Sequence, residues 1–177
     1  MKTLLITTLV AILPQVAFAQ FAEGKSAVKA SNGVTVSVSA DTFANRHHFS
    51  SPKISTESIK KASAGTYVAK SNHGATKGDV FIYGWIVYGS KSWRYYKSAL
   101  LRGGESVDYT RTGGEVSSCP SLCVFSEDFV IDITSEQREK YTINGNLEFQ
   151  IRSENEGDKI IVSVPAEYFD AVNEVGK

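Results

Sequence analysis

The two cysteines have the spacing that most sharply restricts chemistry. Cys119-Pro120-Ser121-Leu122-Cys123 puts three residues between the sulfurs. That separation lets the two arms of a tight turn face each other within disulfide reach. A redox pair normally has two intervening residues at a helix N-terminus, whereas here the flanks read as strands. A soft-metal site would need a third ligand, and the sequence places none. The expectation is one structural disulfide, Cys119 to Cys123, formed in an oxidising compartment. Closing so short a loop is worth about 2 kcal/mol, so the bridge stiffens a tip more than it holds a fold.

The remaining chemically capable residues are informative mainly by what they lack. His47, His48 and His73 are the only histidines. Neighbours on a strand point to opposite faces, so His47 and His48 are not placed to share a metal. No metal-type His-x-x-x-His spacing occurs, and no cofactor is expected. The serines include no Gly-x-Ser-x-Gly elbow, and a phosphate-binding glycine loop is absent. Paired carboxylates for glycoside chemistry stay open, although the acids fall mostly in polar turns and at alternate strand positions. Glu127 is expected to pair with a lysine or arginine on a neighbouring strand.

Contact chemistry is the better-supported class. Trp93-Arg94-Tyr95-Tyr96-Lys97 could form a stacking platform for a sugar or peptide. The alternative makes Trp93 and Tyr95 core residues, with Arg94 and Lys97 at the rim. Trp93, Arg94 and Tyr96, together with Pro120, Ser121 and Leu122 of the bridged loop, are the expected binding residues. A short bridged loop is pre-organised, which lowers the entropy cost of binding.

These residues must be positioned by strands. In Asp79–Tyr88 the odd set is Phe81, Tyr83, Trp85 and Val87, and the even set holds Val80, Ile82, Ile86 and Tyr88. Both faces are apolar, as in a strand buried on both sides, or packed on one side and covered by a partner on the other. Gly84 marks a bulge or a close approach by another backbone. Gly89-Ser90-Lys91-Ser92 then reads as a hairpin turn, with Trp93–Leu101 as the return strand and Arg94 and Tyr96 on its wetter side.

The N-terminus reads as a leader. Lys2 supplies the positive end, Leu4–Leu13 the apolar run, and Ala17-Phe18-Ala19 the cleavage site. Removing 19 of 177 residues leaves 158, enough for one domain with a sizeable core. Residues 20–32 are expected to be a flexible N-terminus and 33–177 a single β-rich domain, periplasmic or secreted, without a membrane span.

Charge is unevenly placed along the chain. Phe21–Arg102 carries twelve Lys and Arg against four Asp and Glu, and Gly103–Lys177 six against fifteen. Interleaving of the two halves within one sheet system would neutralise this. Nucleic acid is not an expected partner, since no recognition module is present.

Elsewhere, Val34, Val36 and Val38 alternate in a half-buried strand after the Asn32-Gly33 turn. Asp41–Ala64 shows one short strand near Pro52–Thr56 and otherwise loop. Thr66–Ser71 should pair antiparallel with the aromatic strand. Arg102-Gly103-Gly104 and Thr112-Gly113-Gly114 read as turns. Thr134 and Gln137 make a capping box for a short helix. Leu147, Phe149 and Ile151, then Ile160, Val162 and Val164, form the last hairpin. Pro165 opens a C-terminal helix with Tyr168, Phe169, Val172 and Val175 on its apolar stripe. The fold class is mainly β: a single-domain antiparallel β-sandwich, or a partly open barrel, with a short C-terminal helix.

Tyr88-Gly-Ser-Lys-Ser-Trp-Arg-Tyr-Tyr-Lys-Ser-Ala99, followed by the close cysteine pair and Glu127, resembles a pattern in small exported β-rich proteins of Gram-negative bacteria. The resemblance covers about a third of the mature chain and implies envelope location and a β-rich fold, with no catalytic residues. The functional expectation is a non-enzymatic exported binding module for an envelope protein or glycan. Its rivals are a secreted enzyme inhibitor using the bridged loop and a carboxylate-dependent hydrolase acting on envelope polymers.

Overall fold

A computed structural model describes residues 24–57, 61–119, 121–154 and 157–177. The expected leader over residues 1–19 and the loop residue Pro120 lie outside the described residues. In chain order the elements are β1 (Gly24–Lys29), β2 (Thr35–Asp41), β3 (Arg46–Ser50), β4 (Ile54–Glu57), β5 (Ser63–His73) and β6 (Thr76–Ser90). There follow β7 (Tyr96–Leu101), β8 (Ser106–Ser118), β9 (Cys123–Asp132), α1 (Ser135–Tyr141) and β10 (Thr142–Ile143). The chain closes with β11 (Asn146–Ser153), β12 (Lys159–Pro165) and α2 (Ala166–Val175).

The strands form one antiparallel sheet in the order β1-β2-β3-β5-β6-β9-β8-β7-β11-β10, with β4 also on β5 and β12 on β11. The mainly β expectation holds, including the C-terminal helix, and the sheet is not closed into a barrel. The two layers of the expected sandwich belong to one continuous sheet. Strand β8 joins them: Ser106 and Val107 pair with β7, whereas Asp108–Ser118 pair with β9. A single core contains Val36, Val68, Ile82, Ile86, Phe129 and Ile131 of one layer and Phe149, Ile151, Ile160 and Val162 of the other. Helix α2 packs on β2, β3, β5, β6 and β12, and buries Phe169, Ala171 and Val172.

The parity of β6 explains its central place. Ile82, Ile86 and Tyr88 are fully buried, while Phe81, Tyr83, Trp85 and Val87 remain half exposed. Gly84 is required by close approach. A Cβ there would lie 2.3 Å from Phe129 Cζ and 2.9 Å from the Gly65 carbonyl oxygen.

Three sequence expectations need correction. β6 does not pair with Trp93–Leu101; its neighbours are β5 and β9, and β7 pairs with β8 and β11. The chain crosses between layers at 91–95, and Tyr95 takes a positive φ of 52° that ends the extended run. Thr112-Gly113-Gly114 is not a turn but a register shift inside β8. β1 and β3 were not visible as strands, because GKSAVK and RHHFS bury only Phe49 and partly Val28 on the core, and backbone pairing supplies the rest.

The capping box forms as expected. Thr134 Oγ1 accepts from Gln137 N at 3.1 Å, and Gln137 Oε1 accepts from Thr134 N at 3.2 Å. Glu105, in the turn after β7, ties α1 down by accepting from Tyr141 Oη at 2.5 Å, Gln137 Nε2 at 3.0 Å and Lys140 Nζ at 3.0 Å. These bonds, the tyrosine's first, hold the Glu105 carboxyl down at about 2. A carboxyl lowered on folding stabilises fully above its unfolded value and loses that contribution as pH falls through the folded one. Glu105→Gln should therefore lower the thermal midpoint at pH 7, and the difference from wild type should shrink below about pH 4 and be lost only below about pH 2. A difference that does not shrink between about pH 4 and about pH 2 would contradict the tether.

Candidate functional site

The expected contact residues Arg94 and Tyr96 are not at the surface. Arg94 is 5% exposed and Tyr96 is fully buried. Arg94 Nη1 donates to Asp158 Oδ2 at 2.9 Å, and Tyr96 Oη donates to the same oxygen at 2.6 Å. The wetter side expected for this pair is thus a buried polar hub. The reason is the crossover at 91–95, which turns Arg94 inward under the Tyr88 ring, 4.7 Å from its centroid. Trp93 packs edge-on to Phe125 at 4.8 Å and lies beneath Arg111. Tyr95 is the one aromatic residue of this run that is exposed, reversing its expected core role.

Glu127 is the second carboxylate of this hub and is fully buried. Its Oε1 accepts from Tyr88 Oη and from Tyr95 N at 3.1 Å. Its Oε2 accepts from Tyr96 N at 3.2 Å and Arg111 Nε at 3.0 Å. The arginine partner expected for Glu127 is therefore Arg111, on the adjacent strand β8. Burial first, then the hydrogen bonds to Glu127 and Asp158, push the Tyr88 and Tyr96 hydroxyls well above the usual phenol range. The hub is structural: every oxygen named is occupied by donors of the fold.

At the β8–β9 tip, Cys119 and Cys123 are bridged with Cα atoms 4.0 Å apart. Leu122 is exposed, beside Gly89, and Val116 and Val124 are exposed on the flanking strands. Ser121 also faces water.

The outer face of the β1–β6 layer carries a different constellation. Tyr67 and Tyr83 are direct cross-strand partners, with ring centroids 5.3 Å apart. Tyr67 also lies 6.4 Å from Trp85 and meets His48 edge-on at 6.3 Å. Trp85 rests flat over Gly65, its partner on β5, where an added Cβ would come within 2.2 Å of Trp85 Cζ2. Lys53 Nζ sits 5.0 Å from the Trp85 ring centroid. His48 Nδ1 lies 2.9 Å from Ser71 Oγ, and burial lowers its pKa. A groove of about 460 Å³ follows these rings, bordered by Lys25, Ser37, Ser39, Ser50 and Pro52. The geometry offers flat π faces beside hydroxyl and ammonium donors, which suits stacking and hydrogen bonding rather than bond cleavage.

None of these groove residues was among the expected contacts. The signal available was the aromatic character of the odd-numbered set of β6. Two buried faces would be served equally well by aliphatic side chains, whereas Tyr83 and Trp85 bring polar atoms to a half-wet surface.

A cleft of about 690 Å³ at one end of the sheet is lined by Asp79, Asp108 and Asp132, with Lys70, Arg138 and Asn173. Asp108 and Asp132 face each other across β8 and β9. Burial, then the charges of Asp108 and Asp79, raise the Asp132 carboxyl above its usual range. No group of three His, Cys, Asp or Glu among the described residues is arranged to hold a metal ion, and no described helix is long and apolar enough to cross a membrane.

No protein-family model, curated protein or solved structure matches the chain.

Proposed function

We propose that this chain is an exported, non-enzymatic recognition domain that holds a glycan of the cell envelope against the outer face of β3, β5 and β6. The observation that carries this reading is the half-exposed aromatic row of Tyr67, Tyr83 and Trp85, seated on neighbouring strands with serine hydroxyls at its border. The C–H face of a pyranose carries slight positive charge and meets the negative face of an aromatic ring favourably. A protein partner would need roughly 800 Å² of matched surface on each side, whereas this groove has the size of a few sugar units. The export assignment rests on Lys2, Leu4–Leu13 and Ala17-Phe18-Ala19.

Trp85→Ala should weaken binding of soluble envelope oligosaccharides at least about tenfold in calorimetric titration, roughly 1.4 kcal/mol. Gly65→Ala should do the same by lifting the indole from the sheet, without deleting any aromatic side chain. Trp93→Ala, which removes a ring packed on Phe125, should lower stability but leave affinity unchanged below its melting point. Equal loss in the Trp85 and Trp93 variants would remove the aromatic groove as the site.

The end cleft supports a second reading, a carboxylate-dependent hydrolase in which Asp132 serves as the acid. A carboxyl raised beside ionised neighbours is the arrangement such chemistry uses. All three aspartates are exposed, however, so nothing there excludes water. Release of reducing ends from envelope polysaccharide that disappears in Asp132→Asn would establish this reading over the first.

A further inference from the structure

The charges around the aromatic groove restrict its ligand further. Lys25 and Lys53 both border the groove, and no carboxylate among the described residues lines it. Neither lysine forms an ion pair among the described residues. The register places Lys25, Ser39, His48 and Ser71 in one row across β1, β2, β3 and β5. Lys53 stands at the other end, over Trp85, whose cross-strand partner Asp128 lies on β9 outside the groove lining. The excess positive charge of the N-terminal half is cancelled elsewhere by contacts such as Lys97–Glu154 and Arg102–Glu148, which pair residues of the two halves. Around the groove Lys25 and Lys53 keep no ion-pair partner among the described residues, and the nearest acid whose charge reaches the groove tyrosines is Asp128 on β9.

We infer that the groove selects a negatively charged glycan, with sugar rings on Trp85 and Tyr83 and the acidic groups held by Lys25 and Lys53. The inference rests on the glycan reading above and adds the charge of the ligand. Two ammonium groups at opposite ends of a stacking surface match a chain that carries an acid on successive sugars. A neutral chain would leave both without a counter-charge, and a free monosaccharide would span neither. An acid group on the sugar, whether carboxylate or phosphate, satisfies the same ammonium donors.

The test compares a galacturonate hexamer with its methyl ester, which keeps the rings and removes the charge, and adds a phosphorylated mannan fragment as a third probe. The acid hexamer or the phosphorylated fragment should bind at least about tenfold more tightly than the ester at 50 mM salt, an advantage that shrinks as salt is raised. Whichever acid binds more tightly identifies the source of the charge. In Lys25→Gln/Lys53→Gln the ratio of acid to ester affinity should fall toward one. Both lysines are outside the core, so the variant is expected to fold, and an unchanged thermal midpoint checks this. Equal affinity for acid and ester in the wild type, lost in Trp85→Ala, would overturn the charge selection and leave the aromatic groove standing. Failure of all three probes to bind would overturn both.

Discussion

Glu127→Ala is expected to destabilise the fold by about 3–5 kcal/mol, a large fraction of the 5–15 kcal/mol that ordinarily separates folded from unfolded chains. The carboxylate is fully buried and accepts four hydrogen bonds, from the Tyr88 hydroxyl, the Tyr95 and Tyr96 amides and the Arg111 guanidinium. Removing it leaves the Tyr88 hydroxyl and the Tyr96 amide in the interior without this acceptor, and each buried donor so orphaned costs about 1–3 kcal/mol. Arg111 is spared, because its side chain is 35% exposed and can turn to water. Glu127→Gln should cost less than alanine but more than a surface change. The amide supplies one acceptor oxygen, and its NH2 group would confront a donor already in place. Arg111→Ala removes one donor of four and should cost less than Glu127→Ala. Urea midpoints of the three variants give the order. Near-wild-type stability of Glu127→Ala would mean that water or a neighbouring residue replaces the carboxylate, and that the hub does not hold the 91–95 crossover.

The legibility of this chain divides along physical lines. Alternating stretches were readable because one face is buried and the other wet: Val36 and Val38 on β2, with Val34 just before it, and the β11–β12 pair lie where parity puts them. The Thr134–Gln137 capping box was readable because local hydrogen bonding settles it without tertiary help. Strand order was not readable. The turn at Gly89–Ser92 is chemically suited to a hairpin, but Glu127, Asp158 and Arg94 draw the following segment across the core into the other layer. Those acceptors and donors are far apart in sequence, and nothing in the Trp93–Lys97 run signals that its arginine will be buried. The groove was illegible for the complementary reason. Trp85 depends on Gly65 for the space in which it lies flat, and Tyr67 and His48 reach it only through the β3–β5–β6 register. The misplaced site and the missed one share a cause: aromatic residues declare an interface, but pairing across strands decides which side of it meets water.

Asp158→Ala is the second change expected to cost about 3–5 kcal/mol, through a different term. Asp158 is 4% exposed and its Oδ2 accepts from both Arg94 and Tyr96, while Oδ1 accepts from Lys159 N at 2.9 Å. Its loss would take the Asp158 carboxylate from a guanidinium that is 5% exposed and does not deprotonate in proteins. The Tyr96 hydroxyl at 3.5 Å, the Gly89 carbonyl at 3.4 Å and the Tyr88 ring also touch Arg94, but these groups are neutral and do not balance a full charge. The cost therefore lies in the arginine left behind more than in the bond removed. That distinction is testable, because replacing both partners of a buried pair by apolar residues of similar volume is often neutral or stabilising. Arg94→Met combined with Asp158→Leu should recover most of the stability lost in Asp158→Ala. Asp158→Asn should fall between the two, since it keeps an acceptor for Tyr96 but gives up the charge. If the double variant were as unstable as the sum of its single changes, the pair would be contributing attraction in its own right. The crossover would then be held by the ion pair itself, and not by the avoidance of a lone buried charge.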